Sequence, residues 1–161
     1  MIHNKRAFVH RFGGVYEHSD WVAEQAFDLG PPEPKALPQT MRQIVEDAGP
    51  EAQLTLLRAH PDLAGKLAKS GALTDESTSE QASAGLDQCT DAEFAEFTAL
   101  NERYKASFGF PYILAVRGRN RHEILENFRA RVDNAPEAEF RTALDQVHQI
   151  ASLRLADMLA I

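Results

Sequence analysis

The side chains best suited to chemistry lie in one stretch, from His60 to Gln81. His60 follows an apolar helical pattern and precedes Pro61, while Ser77, Glu80 and Gln81 occur together near a predicted helix start. An imidazole has an unperturbed pKa of roughly 6.5 and exchanges a proton near neutrality. Hydroxyl, carboxylate and amide groups hydrogen-bond small polar molecules. These residue types indicate a site that binds such a molecule and moves a proton on it.

Each of these residues also has a structural interpretation. A histidine at a helix end is often a cap that the helix dipole stabilises. Ser77 and Glu80 have the spacing of a capping box, whereas a cap does not account for Gln81. The six histidines show no close metal-ligand spacing, and no glycine-rich phosphate loop is present, so we predict no metal site.

A second clue is an arginine in the apolar stripe of the predicted last helix. The stripe consists of Phe140, Ala143, Leu144, Val147, Ile150, Ala151, Arg154 and Met158. Arginine is rarely buried without a partner, so we expect an anionic group to face Arg154. A carboxylate of the protein would make Arg154 structural, as would extension of its head past the helix end. A carboxylate of a substrate would make it a binding residue, because the guanidinium fork matches that shape.

Composition limits the class of protein. The 161 residues are 43% hydrophobic and 25% charged, which predicts one domain over residues 1–161 with a substantial core. The net charge of -7 argues against nucleic-acid binding. Cys89 is the only cysteine, which is typical of a reducing compartment. No apolar run is long enough to span a bilayer, and residues 1–6 do not begin a secretory signal, so we expect a cytoplasmic protein without membrane association.

Periodicity and capping signals predict an all-α fold of seven to eight helices in a single compact domain. The predicted helices extend from Lys5 to Phe12, from Ser19 or Asp20 to Gly30, from Leu37 to Gly49, from Pro50 to His60, from Thr74 or Ser77 to Gly85, from Thr90 to Gly109, from Asn120 to Val132, and from Asn134 to the C-terminus. Between Leu63 and Gly71 we expect at most a short helical piece. The aromatic and β-branched segment near 108–116 is predicted to be an extended, buried connection.

Four sequence motifs resemble those of a known protein family. They are His60-Pro61-Asp62-Leu63-Ala64-Gly65, Leu73-Thr74-x-x-Ser77-x-x-Glu80-Gln81-x-x-Ala84-Gly85-Leu86, Asn101-x-x-Tyr104-x-x-x-Phe108-Gly109-Phe110-Pro111 and Ile150-Ala151-x-Leu153-Arg154-Leu155. With them the chain resembles the 2-oxo-4-hydroxy-4-carboxy-5-ureidoimidazoline (OHCU) decarboxylases of purine catabolism, from about Phe8 to Leu159. The word Phe12-Gly13-Gly14-Val15-Tyr16-Glu17-His18-Ser19-x-Trp21 is similar to that family's opening.

The resemblance implies an all-helical subunit, usually a homodimer, that needs no metal or organic cofactor. It implies decarboxylation of OHCU, the product of hydroxyisourate hydrolysis, to (S)-allantoin and CO2. His60 would then be catalytic, and our mechanistic hypothesis is that Glu80 binds the substrate nitrogens and keeps His60 in the useful tautomer or charge state. The implied substrate-binding residues are Pro61, Ser77, Glu80, Gln81, Phe108, Gly109, Phe110, Pro111, Tyr112, Ile113 and Arg154.

Two departures from the family and two alternatives accompany the resemblance. Tyr112 replaces a common phenylalanine, and the peroxisomal tail of many eukaryotic members is absent, which favours a bacterial-type cytoplasm. One alternative is a helical enzyme that acts on a related ureido compound. The other is a non-catalytic helical module that binds a ligand or a protein, in which Arg154 is structurally paired and His60 is a helix cap.

Overall fold

Helices supply all the regular secondary structure in the described residues of the computed structural model, which are 4–30, 33–65 and 71–159. Eight α-helices occur there: α1 (Lys5–Phe12), α2 (Asp20–Asp28), α3 (Leu37–Asp47), α4 (Pro50–Arg58), α5 (Asp75–Ser83), α6 (Asp91–Phe108), α7 (Arg121–Arg131) and α8 (Pro136–Leu159). Pro34–Ala36 and Leu86–Gln88 form short 3-10 helices. The all-α prediction is confirmed. The piece predicted between Leu63 and Gly71 lies partly on residues 66–70, outside the described residues.

Local capping signals explain where several helices begin. Thr90 accepts a hydrogen bond from the backbone of Glu93, whose carboxylate accepts one from the Thr90 N–H, so the first predicted capping box is confirmed. The second box, from Asn120 to Glu123, is present in the same form before α7. Thr74 caps α5 by accepting from the Ser77 N–H at 3.2 Å. Ser77 is therefore inside α5, and its spacing with Glu80 does not form a capping box.

The described residues group into two units, and each is treated separately below. The first unit contains the residues up to His60 and those from Val147 onward, and the second contains Pro61 to Gln146. In the first unit α1 packs on α2, α2 on α3 and α3 on α4. Phe8 packs against Phe12 and Phe27 there, with ring centroids 4.9 and 5.6 Å away. The prediction of one domain over 1–161 stays a prediction.

The second unit has an aromatic core around α6 and α7. The Tyr112 ring stacks on Phe128, with centroids 3.8 Å apart and ring planes 8° apart. Tyr104 meets both rings edge-on. Phe108 ends α6, and Gly109 caps it with φ of 80°. Residues 110–116 then continue as buried chain without helix or strand, as predicted for the connection near 108–116.

Across the described ranges, no helix has the combination of length and apolar composition that crossing a membrane requires.

Candidate functional site

His60 is a buried histidine just beyond the end of α4. The residue is 8% exposed, and its Nδ1 is 3.2 Å from the carbonyl oxygen of Leu56. A carbonyl oxygen can only accept, so Nδ1 carries the hydrogen of this bond. In the neutral ring Nε2 is then the nitrogen with the free electron pair, and it is the atom that can take a proton.

The surroundings of His60 keep its imidazole neutral. Burial lowers its pKa from 6.5 to about 4, because a charged ring would lose its hydration. Glu17 and the bond to Leu56 oppose this effect, whereas Arg154 and His18 add to it by repelling a positive charge. At neutral pH His60 is therefore an uncharged base.

Arg154 lies on α8 in the same unit and is 4% exposed. Its Nη2 is 3.4 Å from Oε2 of Glu17, and its Nη1 donates to the carbonyl oxygen of Gly14 at 3.1 Å. The expectation of an anionic partner is confirmed, and this partner is a carboxylate of the protein. The ion pair does not prevent a substrate carboxylate from binding as well, because a guanidinium has five N–H donors.

Glu17 is the residue of this group that the sequence reasoning missed. It is 2% exposed, and Ser19 donates from Oγ to its carbonyl oxygen at 3.1 Å. The next residue, His18, has φ of 52°, a conformation that is costly for a residue with a Cβ. The available signal was its place in the motif from Phe12 to Trp21, which is similar to the family's opening.

Tyr16, the residue before Glu17, is held by a buried hydrogen-bonded chain. Its hydroxyl is 2.8 Å from Nδ1 of His148, and Nε2 of His148 is 3.0 Å from Oε2 of Glu46. A carboxylate accepts, so Nε2 of a neutral His148 donates to Glu46 while Nδ1 accepts from Tyr16. Burial raises the pKa of Tyr16 well above its usual value, which keeps the hydroxyl protonated as a donor. The chain fixes one side of the turn that carries Glu17.

In the second unit Gln81 holds the loop that follows His60. Its Oε1 accepts from the Ala64 N–H at 3.0 Å, and its Nε2 donates to the Asp62 carbonyl oxygen at 3.3 Å. Ala64 has φ of 50°, so this loop contains the second strained non-glycine residue of the described chain. Ser77 is buried one helical turn before Gln81 on the same face of α5, and Glu80 is half-buried. Gln81 thus has a loop-fixing role in addition to its predicted substrate contact.

Two residues of α6 also hold that loop. Asn101 donates from Nδ2 to the Leu63 carbonyl oxygen at 3.0 Å, and Lys105 forms a 2.8 Å ion pair with Asp62. In the described part of the chain, Oδ1 of Asn101 is the one buried side-chain polar atom without a hydrogen-bond partner.

A cavity of about 370 Å³ lies beside the same loop and α5. Its lining includes Ala64, Gly65, Leu73, Thr78, Gln81 and Phe94.

The segment predicted to contact substrate through its backbone is anchored by Arg131. Nη1 of Arg131 donates to the Ile113 carbonyl oxygen at 2.6 Å, and the guanidinium pairs with Glu139 at 2.9 Å. Glu139 also accepts from Tyr104 and Asn134. Burial by itself would raise the pKa of Glu139, but these hydrogen bonds and the Arg131 charge lower it below its usual value. The cluster is a built-in support for Ile113.

The remaining residues of this segment differ in exposure. Phe110, Pro111 and Tyr112 are buried, whereas Phe108 is half-buried and Gly109 is exposed. The hydroxyl that distinguishes Tyr112 from the family's usual phenylalanine donates to Oδ1 of Asn127 at 2.5 Å, so its burial is compensated.

The predicted site residues are therefore divided between the two units. His60 and Arg154 belong to the first unit, where Glu17 acts on both of them. Pro61, the α5 residues and residues 108–113 belong to the second. Their substrate-binding roles, and the catalytic role of Glu80, stay predictions. Among the described residues, no group of three or more His, Cys, Asp or Glu side chains is arranged to hold a metal ion.

Comparison with known proteins shows similarity over nearly the whole chain. The OHCU decarboxylase family model matches residues 3–156. The 2-oxo-4-hydroxy-4-carboxy-5-ureidoimidazoline decarboxylase of Haloferax volcanii is 47% identical over 152 residues, which are 94% of this chain and 88% of that protein.

Two solved structures share the fold. A crystal structure of (S)-allantoin synthase has a TM-score of 0.73 at 36% identity, over 96% of this chain and 50% of that one. This chain thus spans half the length of that synthase chain. A crystal structure of OHCU decarboxylase in the presence of (S)-allantoin also has a TM-score of 0.73, at 26% identity, over 89% of this chain and 94% of that one.

Proposed function

The chain belongs to the OHCU decarboxylase family, and we propose that it converts OHCU to (S)-allantoin and CO2 in urate degradation. The structural observation that carries the proposal is a neutral, buried His60 in the same unit as a buried Arg154. In the proposed reaction these residues supply a base and a carboxylate-binding cation.

The substrate supplies its own electron sink, so the proposed reaction uses no metal or organic cofactor. The carboxylate of OHCU lies β to a C=N bond. When the bond to the carboxylate breaks, its electron pair enters the C=N unit, CO2 leaves and the ring nitrogen takes up a proton. The hydroxyl proton is lost as the carboxylate departs, and the carbon that bears the ureido group then gains a proton. One proton is consumed overall.

The side chains then have separate roles in the proposal. Nε2 of His60 takes the hydroxyl proton, and a positioned base of this kind contributes about 10²–10⁴-fold to the rate. Arg154 binds and orients the substrate anion. Glu80 hydrogen-bonds nitrogens of the substrate. Ser77 and Gln81 bind its other polar groups, together with Pro61 and the backbone of residues 108–113.

The family resemblance further supports a homodimer, and the single Cys89 supports a reducing, cytoplasmic location. We include both in the proposal. Size-exclusion chromatography with light scattering at several protein concentrations tests the dimer directly. A mass of about 18 kDa at all concentrations would show a monomer, since one chain is 17.9 kDa.

Circular dichroism of freshly made OHCU tests the activity. OHCU is generated from urate by the two preceding enzymes and followed with this protein, with the His60→Asn variant and with buffer. Because OHCU decays without catalyst to racemic allantoin, the handedness of the product is informative and its amount is not. We expect a rapid (S)-allantoin signal with wild type only. Racemate formed at the buffer rate by the wild-type protein would refute the proposal.

The alternative of a non-catalytic helical binding module has support from two contacts. Arg154 is paired with a carboxylate of the protein, and His60 forms a helix-end bond to Leu56. That alternative predicts the buffer rate and racemic product in the same experiment. It also predicts that His60→Asn changes stability but no reaction.

A further inference from the structure

Glu17 is a buried carboxylate outside the predicted set of site residues. Its contact with Arg154 is 3.4 Å long, whereas Arg131 and Glu139, a second buried arginine–glutamate pair, approach to 2.9 Å. Breaking a buried ion pair is costly, yet such pairs often stabilise a fold no more than apolar side chains of the same size would. Fold stability is therefore a weak reason for placing Glu17 here.

The turn that carries Glu17 is fixed on both sides. Tyr16 is held by its hydrogen bond to His148, and Ser19 bonds back to the Glu17 carbonyl oxygen. Between Glu17 and Ser19, His18 keeps its positive φ of 52°. Strain of this kind persists where the surrounding structure determines the conformation. The carboxylate of Glu17 is thus presented to its neighbours in a defined position.

Glu17 acts on His60 as well as on Arg154. Of the charged and titratable groups that influence the His60 ring, Glu17 favours its protonation, while Arg154 and His18 oppose it. The effects of Glu17 and Arg154 on His60 partly cancel. Any anion that takes up the charge of Arg154 therefore increases the net influence of Glu17 on His60.

We propose that Glu17 is a positioning residue that holds the Arg154 guanidinium before substrate binds and stabilises protonated His60 once the substrate carboxylate is bound to Arg154. This inference rests on the proposed function, because it needs an anion at Arg154 and a proton accepted by His60. The bound substrate brings a second negative charge that one guanidinium does not balance, so the imidazolium becomes more stable. After CO2 has left and His60 has passed its proton to the product, the substrate carboxylate no longer acts on Arg154, and the Glu17–Arg154 ion pair returns to its initial state.

Steady-state kinetics of Glu17→Gln separate this role from a structural one. The glutamine amide keeps the shape and an oxygen that can accept from Arg154, so the guanidinium stays in place while the negative charge is removed. We expect kcat to fall by about 10–100-fold, the effect of an opposite charge worth one to two pKa units. We expect KM to fall as well, because a negative charge that repels the anionic substrate is gone. Mere destabilisation would not lower both constants.

Two further variants complete the kinetic test. Glu17→Asp retains the charge and is expected to keep kcat within a few-fold of wild type. Asp28→Asn removes an exposed carboxylate of the same unit that pairs with Lys5, and is expected to change neither constant. The inference is overturned by a Glu17→Gln variant with unchanged kcat, or with lower kcat and higher KM. It is equally overturned by a folded Glu17→Asp variant as inactive as His60→Asn.

A measurement without substrate tests the same coupling if the proposed function fails. NMR titration gives the pKa of His60, whose ring signal is assigned by its loss in His60→Asn. Arg154→Gln removes the guanidinium charge that pairs with Glu17 and is expected to raise the His60 pKa above its wild-type value of about 4. Adding Glu17→Gln to that variant is expected to reverse the rise. Equal His60 pKa values in the single and double variants would overturn the inference whether or not OHCU is turned over.

Discussion

Nδ1 of His60 lies 3.2 Å from the carbonyl oxygen of Leu56, four residues earlier in the chain. This backbone bond places the hydrogen of a buried imidazole on Nδ1. The proposed role of Glu80, to keep His60 in its useful tautomer or charge state, stays a prediction. Glu17, Arg154 and His18 act electrostatically on the ring.

The activity should remain high at unusually low pH for a histidine-dependent enzyme. Because the pKa of His60 is lowered to about 4, the ring stays a neutral base down to that value. We expect the acidic limb of kcat/KM for (S)-allantoin formation to fall near pH 4, where the profile reports the free enzyme. Initial rates by circular dichroism from about pH 3 to 8, corrected for uncatalysed OHCU decay, measure it. An acidic limb near 6.5 would show that His60 is not the essential base or is not held neutral.

Stability should depend on pH through the same residue. The folded pKa of His60 is about 4 and the unfolded value is 6.5, so the unfolded chain binds more protons between them. The His60 contribution is complete above pH 6.5 and is lost as pH falls towards 4. At pH 5 the loss is on the order of 2 kcal/mol.

Urea unfolding of wild type and His60→Asn at pH 7.5 and pH 5 tests this. The variant should lose less of its free energy of unfolding between the two pH values than wild type does. Equal losses in the two proteins would mean that other groups account for the acid sensitivity.

Breaking the buried pair of Arg131 and Glu139 should cost far more stability than breaking an exposed pair. Glu139→Gln leaves the buried Arg131 charge uncompensated, which costs about 3–5 kcal/mol. Asp133→Asn breaks the contact with Arg103 and should cost less than about 1 kcal/mol, because the side chains of Arg103 and Asp133 are 58% and 67% exposed. Urea unfolding at pH 7.5 compares the two variants. Similar costs would show that the Arg131 cluster is not a strong support of the Ile113 backbone.

We expect Gln81 to stabilise the loop that follows His60 in addition to binding the substrate. Gln81→Leu removes the bonds to Asp62 and Ala64 and leaves buried backbone groups unsatisfied, at a cost of about 1–3 kcal/mol. The exposed Gln43, which bonds only one turn along α3, provides the matched control. We expect Gln43→Leu to leave the melting temperature and KM nearly unchanged and Gln81→Leu to lower the first and raise the second. A Gln81→Leu variant with wild-type stability would exclude the loop-fixing role.

The helices were predictable because their signals are local. Thr90 and Asn120 each bond a residue three positions later, so the capping boxes are visible in the sequence and form as predicted. The sequence leaves two candidates for the residue that caps α5, Thr74 and Ser77. The Ser77 N–H donates to Thr74 Oγ1, so Thr74 is the cap. The aromatic connection near 108–116 was predictable for a similar reason, since its composition and its proline disfavour helix.

The sequence by itself determined the helical class, the caps and the demand for an anion at Arg154, because each depends on periodicity or on residues one turn apart. Only the tertiary structure decided that this anion is Glu17, 137 positions away, and that His60 is buried enough to lose its charge. Pairing across such separations and the depth of a side chain depend on how helices pack, which no local pattern encodes. Tertiary packing therefore sets the charge and the proton affinity at this site, whereas local sequence sets the helices that carry these residues.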